Sequence, residues 1–303
     1  MNLQGIFPPL TAPFGRDGSL DLAQLRENVD RYNATRLAGY VVNGSTGESV
    51  LLGWNEIECA WVTVREAAAP GKILIAGTGA ESTAETIVHT NRAAALGYNA
   101  ALVRTPSYFK PQMTPEAQAE HFLRVADAAR FPILIYSVPV FTGIAVEAPL
   151  VARLAQHPNI IGIKESSGDL ERAKAIVAAA PVGFQTLVGS ASILHASLAA
   201  GAAGAILALS CVLPGKCVEL YEAARAGDSR RAEAVQRALE PASKLLSRLG
   251  VPALKYALDR LGYYGGAPRP PFVPADEQTK REVDAMLAVF GSPVPAIHQG
   301  RSS

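Results

Sequence analysis

Gly5-Ile6-Phe7-Pro8-Pro9-Leu10-Thr11-Ala12-Pro13-Phe14 decides between two folds. Residues 1–226 alternate short apolar runs with longer helical patterns, an order that implies a parallel sheet. An open, doubly wound sheet normally follows its first strand with a glycine-rich phosphate loop. Here the first apolar run leads into prolines instead. The expected strands are 5–11, 39–43, 73–77, 100–104, 133–136, 160–164, 186–188 and 204–208. Eight strand–helix units in this length predict an α/β fold, a (β/α)8 TIM barrel.

Helix signals fit between these runs. Leu22, Leu25, Val29 and Tyr32 recur at three- and four-residue spacing, which predicts an amphipathic helix. Ser82 stands three residues ahead of Glu85, as in a capping box, and Gly97 closes that helix. From 228 the strand pattern stops. Helices are expected at 231–249, 252–261 and 276–290, followed by a frayed polar tail. The expected organisation is a catalytic barrel over 1–226 and a small C-terminal helical domain over 227–303.

Composition narrows the function classes. The 303 residues are 49% hydrophobic and 18% charged, with a formal net charge of +1. That gives a sizeable core and no general attraction to nucleic acid or an anionic membrane. Cys59, Cys211 and Cys217 are scattered in apolar stretches, as expected of buried thiols in a reducing compartment. His89, His121, His157, His195 and His298 lack ligand spacing, so no metal is expected. Neither a signal peptide nor a membrane span is read, and the default location is cytoplasmic.

Lys164 is the residue that suggests chemistry. It ends the run Asn159-Ile160-Ile161-Gly162-Ile163-Lys164, and lysine is among the residues least often buried without a partner. A partly desolvated amine is more readily the neutral nucleophile that a Schiff base requires. The alternative is a lysine that snorkels from a strand end into water. Barrel enzymes collect their sites at the C-terminal strand ends, where this chain has Ser45 and Thr46, Arg104 and Tyr108, Tyr136, Lys164 and Ser166, and Ile206. Ser45 and Thr46 read either as turn residues or as part of a loop whose N–H groups hold a carboxylate. Alternation along a strand sends Glu165 to the face opposite Lys164 and returns Ser166 to the lysine's face.

Gly44-Ser45-Thr46-Gly47-Glu48-Ser49, Tyr136-Ser137-Val138-Pro139 and Gly162-Ile163-Lys164-Glu165, in this order and spacing, resemble the dihydrodipicolinate synthase/N-acetylneuraminate lyase superfamily. The resemblance covers nearly the whole chain. It implies a class I aldolase or lyase acting on pyruvate or another 2-oxo acid, with no cofactor beyond the lysine imine. Lys164 would form the imine, and Tyr136 would move protons. Ser45 would link Tyr136 to Tyr108, which in the family reaches across a subunit interface. Ser45 and Thr46 amides, Ile206 and Ser166 would bind substrate. The implied assembly is a homotetramer of tight dimers.

Departures from the pattern bear on the substrate. Phe141 stands where lysine-pathway synthases carry a carboxylate-binding arginine, and losing a guanidinium removes a charge-assisted contact. Ser107 and Glu81 replace the tyrosine and asparagine usual at the feedback site. Tyr136-Ser137-Val138-Pro139, Ser166, Gly189-Ser190-Ala191 and Gly262-Tyr263-Tyr264-Gly265-Gly266 are similar to 4-hydroxy-2-oxoglutarate aldolase, although Thr46 stands where that aldolase tends to have asparagine. Retro-aldol cleavage of that acid or a relative is the leading expectation. The alternatives are condensation of pyruvate with aspartate semialdehyde, a 2-keto-3-deoxy sugar-acid aldolase or dehydratase, and a non-enzymatic 2-oxo acid sensor. Arg104 is read either as a second carboxylate contact or as a structural ion pair.

Overall fold

A computed structural model describes residues 1–291; the tail expected to fray and His298 lie outside the described residues. Eight parallel strands form the sheet: β1 (Gly5–Phe7), β2 (Gly39–Val42), β3 (Ile73–Gly77), β4 (Ala100–Arg104), β5 (Ile133–Ser137), β6 (Ile160–Glu165), β7 (Gln185–Val188) and β8 (Gly204–Ile206). Each pairs with its sequence neighbour from β2 to β8, and β1 pairs with β8. The remaining seam is closed by Val41 N–H on Pro8 O at 3.0 Å and Leu10 N–H on Val41 O at 2.9 Å. The result is a (β/α)8 barrel.

The first strand is shorter than the expected 5–11. Pro8 and Pro9 have no N–H to continue a ladder, so the chain leaves β8 after Phe7 and touches β2 through an isolated Pro9–Val41 bridge. The last strand is also cut short, because Ala208 already has helical angles (φ −58°, ψ −35°). Ser82 caps the helix Thr83–Ala95 through its hydroxyl, which accepts from Glu85 N–H at 3.4 Å.

Strand alternation sorts the core into layers. Phe7, Val41, Ile75, Leu102, Leu134, Leu187 and Ile206 fill the barrel interior. Ile133, Ile135 and Ile163 face outward against Phe122 and Val125 of the helix Pro115–Ala128. By the same alternation Lys164 points inward, as Tyr136 does, and Glu165 outward. Gly162, two residues before Lys164, leaves space for Leu134 below the amine. A Cβ there would meet Leu134 Cδ2 at 2.9 Å and Gln185 O at 2.3 Å.

Beyond β8 the described chain is helical. Ser229–Arg260 is one long helix broken at Gly250 (φ 70°, ψ −156°), where the expected break lies. Glu277–Val289 follows. Leu239, Leu246, Leu254, Leu258 and Leu287 of these helices share one core with the outer face of the barrel.

Cysteine burial departs from expectation at one position. Cys211 and Cys217 are buried, whereas Cys59 is exposed. Cys59 lies on the outer face of the helix Trp54–Ala67, whose inner face buries Ala60, Trp61, Thr63 and Val64. Burial pushes the Cys211 thiol up to about 12, and Cys217 rises for the same reason. Among the described residues no helix is long and apolar enough to cross a membrane.

Candidate active site

Parallel pairing of β5 with β6 sets the centre of the site. Tyr136 and Lys164 are register partners, and Lys164 Nζ lies 4.2 Å from the centroid of the Tyr136 ring. Both residues are 5% exposed. Among the described residues no hydrogen-bonding or ionic partner is present for the Lys164 amine. The side chain is enclosed by the barrel, and Lys164 borders the cavity at its mouth.

The turn after β2 supplies a second wall. Ser45–Gly47 forms a single 3-10 turn, entered through Asn43 (φ 59°) and left through Glu48 (φ 54°). Asn43 fixes the entry by donating its side-chain amide to Ile57 O at 2.9 Å. Ser45 Oγ and Tyr136 OH are 3.2 Å apart, within hydrogen-bond reach. The Ser45 and Thr46 N–H groups stand at the start of the turn, where no intrahelical acceptor exists for them.

After β6 the pairing continues one residue further, through Ser166 N–H on Ser137 O at 2.9 Å. Ser166 thereby returns to the interior face, with its hydroxyl buried and unpartnered. Glu165 is fully buried on the opposite face. It accepts from the Ser167 hydroxyl at 2.9 Å and lies 3.3 Å from Arg172 Nε. Burial raises the Glu165 carboxyl above its ordinary range, against the opposing pull of Ser167 and Arg172.

Lys164, Tyr136, Ser45, Thr46, Ser166 and Ile206 all line one cavity of about 320 Å³. Its far wall comes from Phe141 and from Ser243, Leu246, Ser247 and Val251. Sequence reading missed that contribution of the long C-terminal helix. The available signal was Ser243 and Ser247 at four-residue spacing, which share one helical face. Lys164 is the one residue with an ordinarily charged side chain among those lining the cavity.

Tyr108 does not join this group within the chain. It is 80% exposed, packed edge-on against Phe109 with ring centroids 5.0 Å apart. Its loop is held by Glu81, which accepts from Ser107 N–H at 2.7 Å and Tyr108 N–H at 2.9 Å. Arg104 donates to the same carboxylate at 2.9 Å. Burial alone would raise the Glu81 carboxyl, but these donors together hold it below the ordinary range. Arg104 therefore sits in an ion pair. It lines a separate cavity of about 570 Å³ that shares Ser45 and Tyr136 as walls. Among the described residues no group of three His, Cys, Asp or Glu side chains is placed to hold a metal ion.

An amine and a phenol face each other at the C-terminal mouth of a (β/α)8 barrel, the end at which enzymes of this fold carry their active sites. The model of the dihydrodipicolinate synthetase family matches residues 2–289, and the chain belongs to that family of lyases. It is 36% identical over 287 residues to the 4-hydroxy-tetrahydrodipicolinate synthase of Exiguobacterium sp. strain AT1b, covering 94% of this chain and 97% of the relative. It is also 36% identical over 280 residues to a probable mitochondrial 4-hydroxy-2-oxoglutarate aldolase of Emericella nidulans, covering 90% and 91%. The pyruvate complex of the chloride-inhibited dihydrodipicolinate synthase from Acinetobacter baumannii superposes with a TM-score of 0.92 at 30% identity, covering 96% of this chain and all of that one.

If Tyr136 carries protons through Ser45, Tyr136→Phe should lower kcat by about 10²- to 10⁴-fold, the usual worth of a positioned acid–base group. KM should change far less. Steady-state kinetics checks this, and wild-type turnover in the phenylalanine variant would remove Tyr136 from the chemistry.

Proposed function

We propose that this chain cleaves 4-hydroxy-2-oxo acids by a retro-aldol reaction through an imine on Lys164, releasing pyruvate and an aldehyde, with 4-hydroxy-2-oxoglutarate the leading substrate. The observation that carries the reading is the pairing of the unpartnered Lys164 amine with Tyr136, whose hydroxyl is in reach of Ser45. Likeness to the aldolase of Emericella nidulans supports the choice of substrate.

The steps follow from the groups at hand. Lys164 Nζ adds to the C2 carbonyl, and loss of water gives a protonated imine. Tyr136 gives its proton to the hydroxyl that leaves as water and, as the phenolate hydrogen-bonded to Ser45, then accepts the proton of the C4 hydroxyl. The C3–C4 bond then breaks, its electron pair forming the C2=C3 bond of an enamine while the aldehyde departs. Tyr136 returns that proton to C3, and water, giving a proton back to the phenolate, adds to the imine so that pyruvate leaves and the amine is restored. The carboxylate at C1 is held by the Ser45 and Thr46 N–H groups, beside Ile206. Ser166 offers its free hydroxyl to the rest of the substrate. The imine itself is the electron sink, so this sequence requires no further cofactor.

Condensation of pyruvate with aspartate semialdehyde is the second reading, favoured by the synthases among the relatives. Phe141 at the cavity rim weighs against it, because the site then lacks the guanidinium expected for the second carboxylate. The serine-bearing far wall also suits the hydroxylated tail of a 2-keto-3-deoxy sugar acid, which keeps that class as the next substrate to try.

Tyr108 is assigned to the site of a neighbouring subunit in a homotetramer, on the strength of its exposure and of the family resemblance. Activity should therefore fall on dilution to monomer, and a fully active monomer would refute the role. The decisive assay for the function is pyruvate release from 4-hydroxy-2-oxoglutarate. Wild type should release it and Lys164→Ala should not. A well-folded wild type that releases none excludes this substrate, and equal release by both proteins excludes the lysine mechanism.

A further inference from the structure

Two buried charges outside the reacting centre connect the turn at Ser45 to the C-terminal helices. Glu48 is 1% exposed and Lys255 is fully buried. Lys255 Nζ donates to Glu48 Oε1 at 2.8 Å and to Ala12 O at 2.8 Å. It also lies 4.5 Å from the centroid of the Phe14 ring. The other oxygen, Glu48 Oε2, accepts from Arg269 N–H at 2.8 Å. The Arg269 guanidinium is itself fixed by two bonds to Glu56, at 2.7 and 2.6 Å. Both oxygens of one carboxylate are thus occupied by groups more than two hundred residues away in the chain.

This carboxylate acts where the backbone most needs holding. Glu48 is left-handed (φ 54°, ψ 31°), a conformation that a Cβ disfavours. Its N–H closes the Ser45–Gly47 turn on Ser45 O at 3.1 Å. On the other side, the chain packs tightly over Lys255. A Cβ on Gly265 would fall 1.8 Å from Lys255 O, so the backbone that carries the lysine is closely packed.

We infer that Glu48 is a positioning residue for the lyase reaction. Pinned by Lys255 and Arg269, it holds the turn so that the Ser45 and Thr46 N–H groups meet the substrate carboxylate and the Ser45 hydroxyl meets Tyr136. The inference rests on the proposed function, since it needs an oxo-acid carboxylate at that turn. It assigns to the C-terminal helices a share in substrate binding through a contact outside the cavity.

The test uses the full-length protein as wild type, Glu48→Gln, and the double variant Glu48→Gln with Lys255→Met. The double variant removes both charges, and replacing a buried pair by uncharged groups is often tolerated where removal of one partner is not. Two readouts are taken: the rise in thermal midpoint caused by pyruvate, and the KM and kcat for the cleaved oxo acid. The expected result is loss of the pyruvate-induced rise and a KM at least tenfold higher, with a smaller change in kcat. Folded variants with wild-type KM and an undiminished response to pyruvate would overturn the inference. So would a lowered thermal midpoint with KM unchanged, which marks the pair as structural alone. If pyruvate does not raise the thermal midpoint of the wild type and the wild type does not cleave the oxo acid, the proposed function itself fails and the inference falls with it.

Discussion

The Lys164 amine is kept at the barrel mouth against the face of Tyr136, at 4.2 Å, with no carboxylate among the described residues that line its cavity. Much of the site can be understood as a consequence of that constraint. Below the amine, Gly162 leaves room for Leu134, so the barrel core stays filled up to the reacting level. Beside it, the hydroxyls of Tyr136, Ser45 and Ser166 offer hydrogen-bonding groups without offering an anion. A ligand that enters the cavity therefore meets an amine that no side chain of the described residues has engaged by a hydrogen bond or ion pair.

The chain contains a second buried lysine that makes the contrast clear. Lys255 is fully buried, but an ion pair, a carbonyl and an aromatic face surround it. Burial pushes its amine below the ordinary lysine range, and Glu48 opposes that shift. Removing one partner from such a pair leaves an uncompensated buried charge and destabilises strongly. Burial alone therefore does not mark a reactive lysine. Lys255 is held by fixed partners, whereas Lys164 borders a cavity where a ligand can complete its surroundings.

Much of this was legible in the amino-acid sequence because two periodicities carry it. The β3 and β4 strands fall where their apolar runs predict, and β2, β5, β6 and β7 differ from expectation by one residue at an end. Alternation of side chains along β6 by itself places Glu165 on the face opposite Lys164. The ends of the barrel were harder, because Pro8 and Pro9 belong to an apolar run yet cannot extend a ladder. Family resemblance gathered Ser45, Thr46, Ser166 and Ile206 around the lysine. It does not bring Tyr108 into the site of its own chain, since that side chain lies 80% exposed. The partnership of Glu48 with Lys255 spans 207 residues, and a contact of that separation leaves no local pattern to read. The four-residue spacing of Ser243 and Ser247 marks a shared helical face, but not that this face would wall the cavity.

Lys164, and not Lys255 or a surface lysine, is the residue proposed to form the imine. Incubation with pyruvate and borohydride, followed by digestion and mass spectrometry, tests it most directly. One reduced adduct is expected, carried by the peptide that contains Lys164 and absent from Lys164→Ala. An adduct on another lysine, or no adduct on the folded wild-type protein, would contradict it.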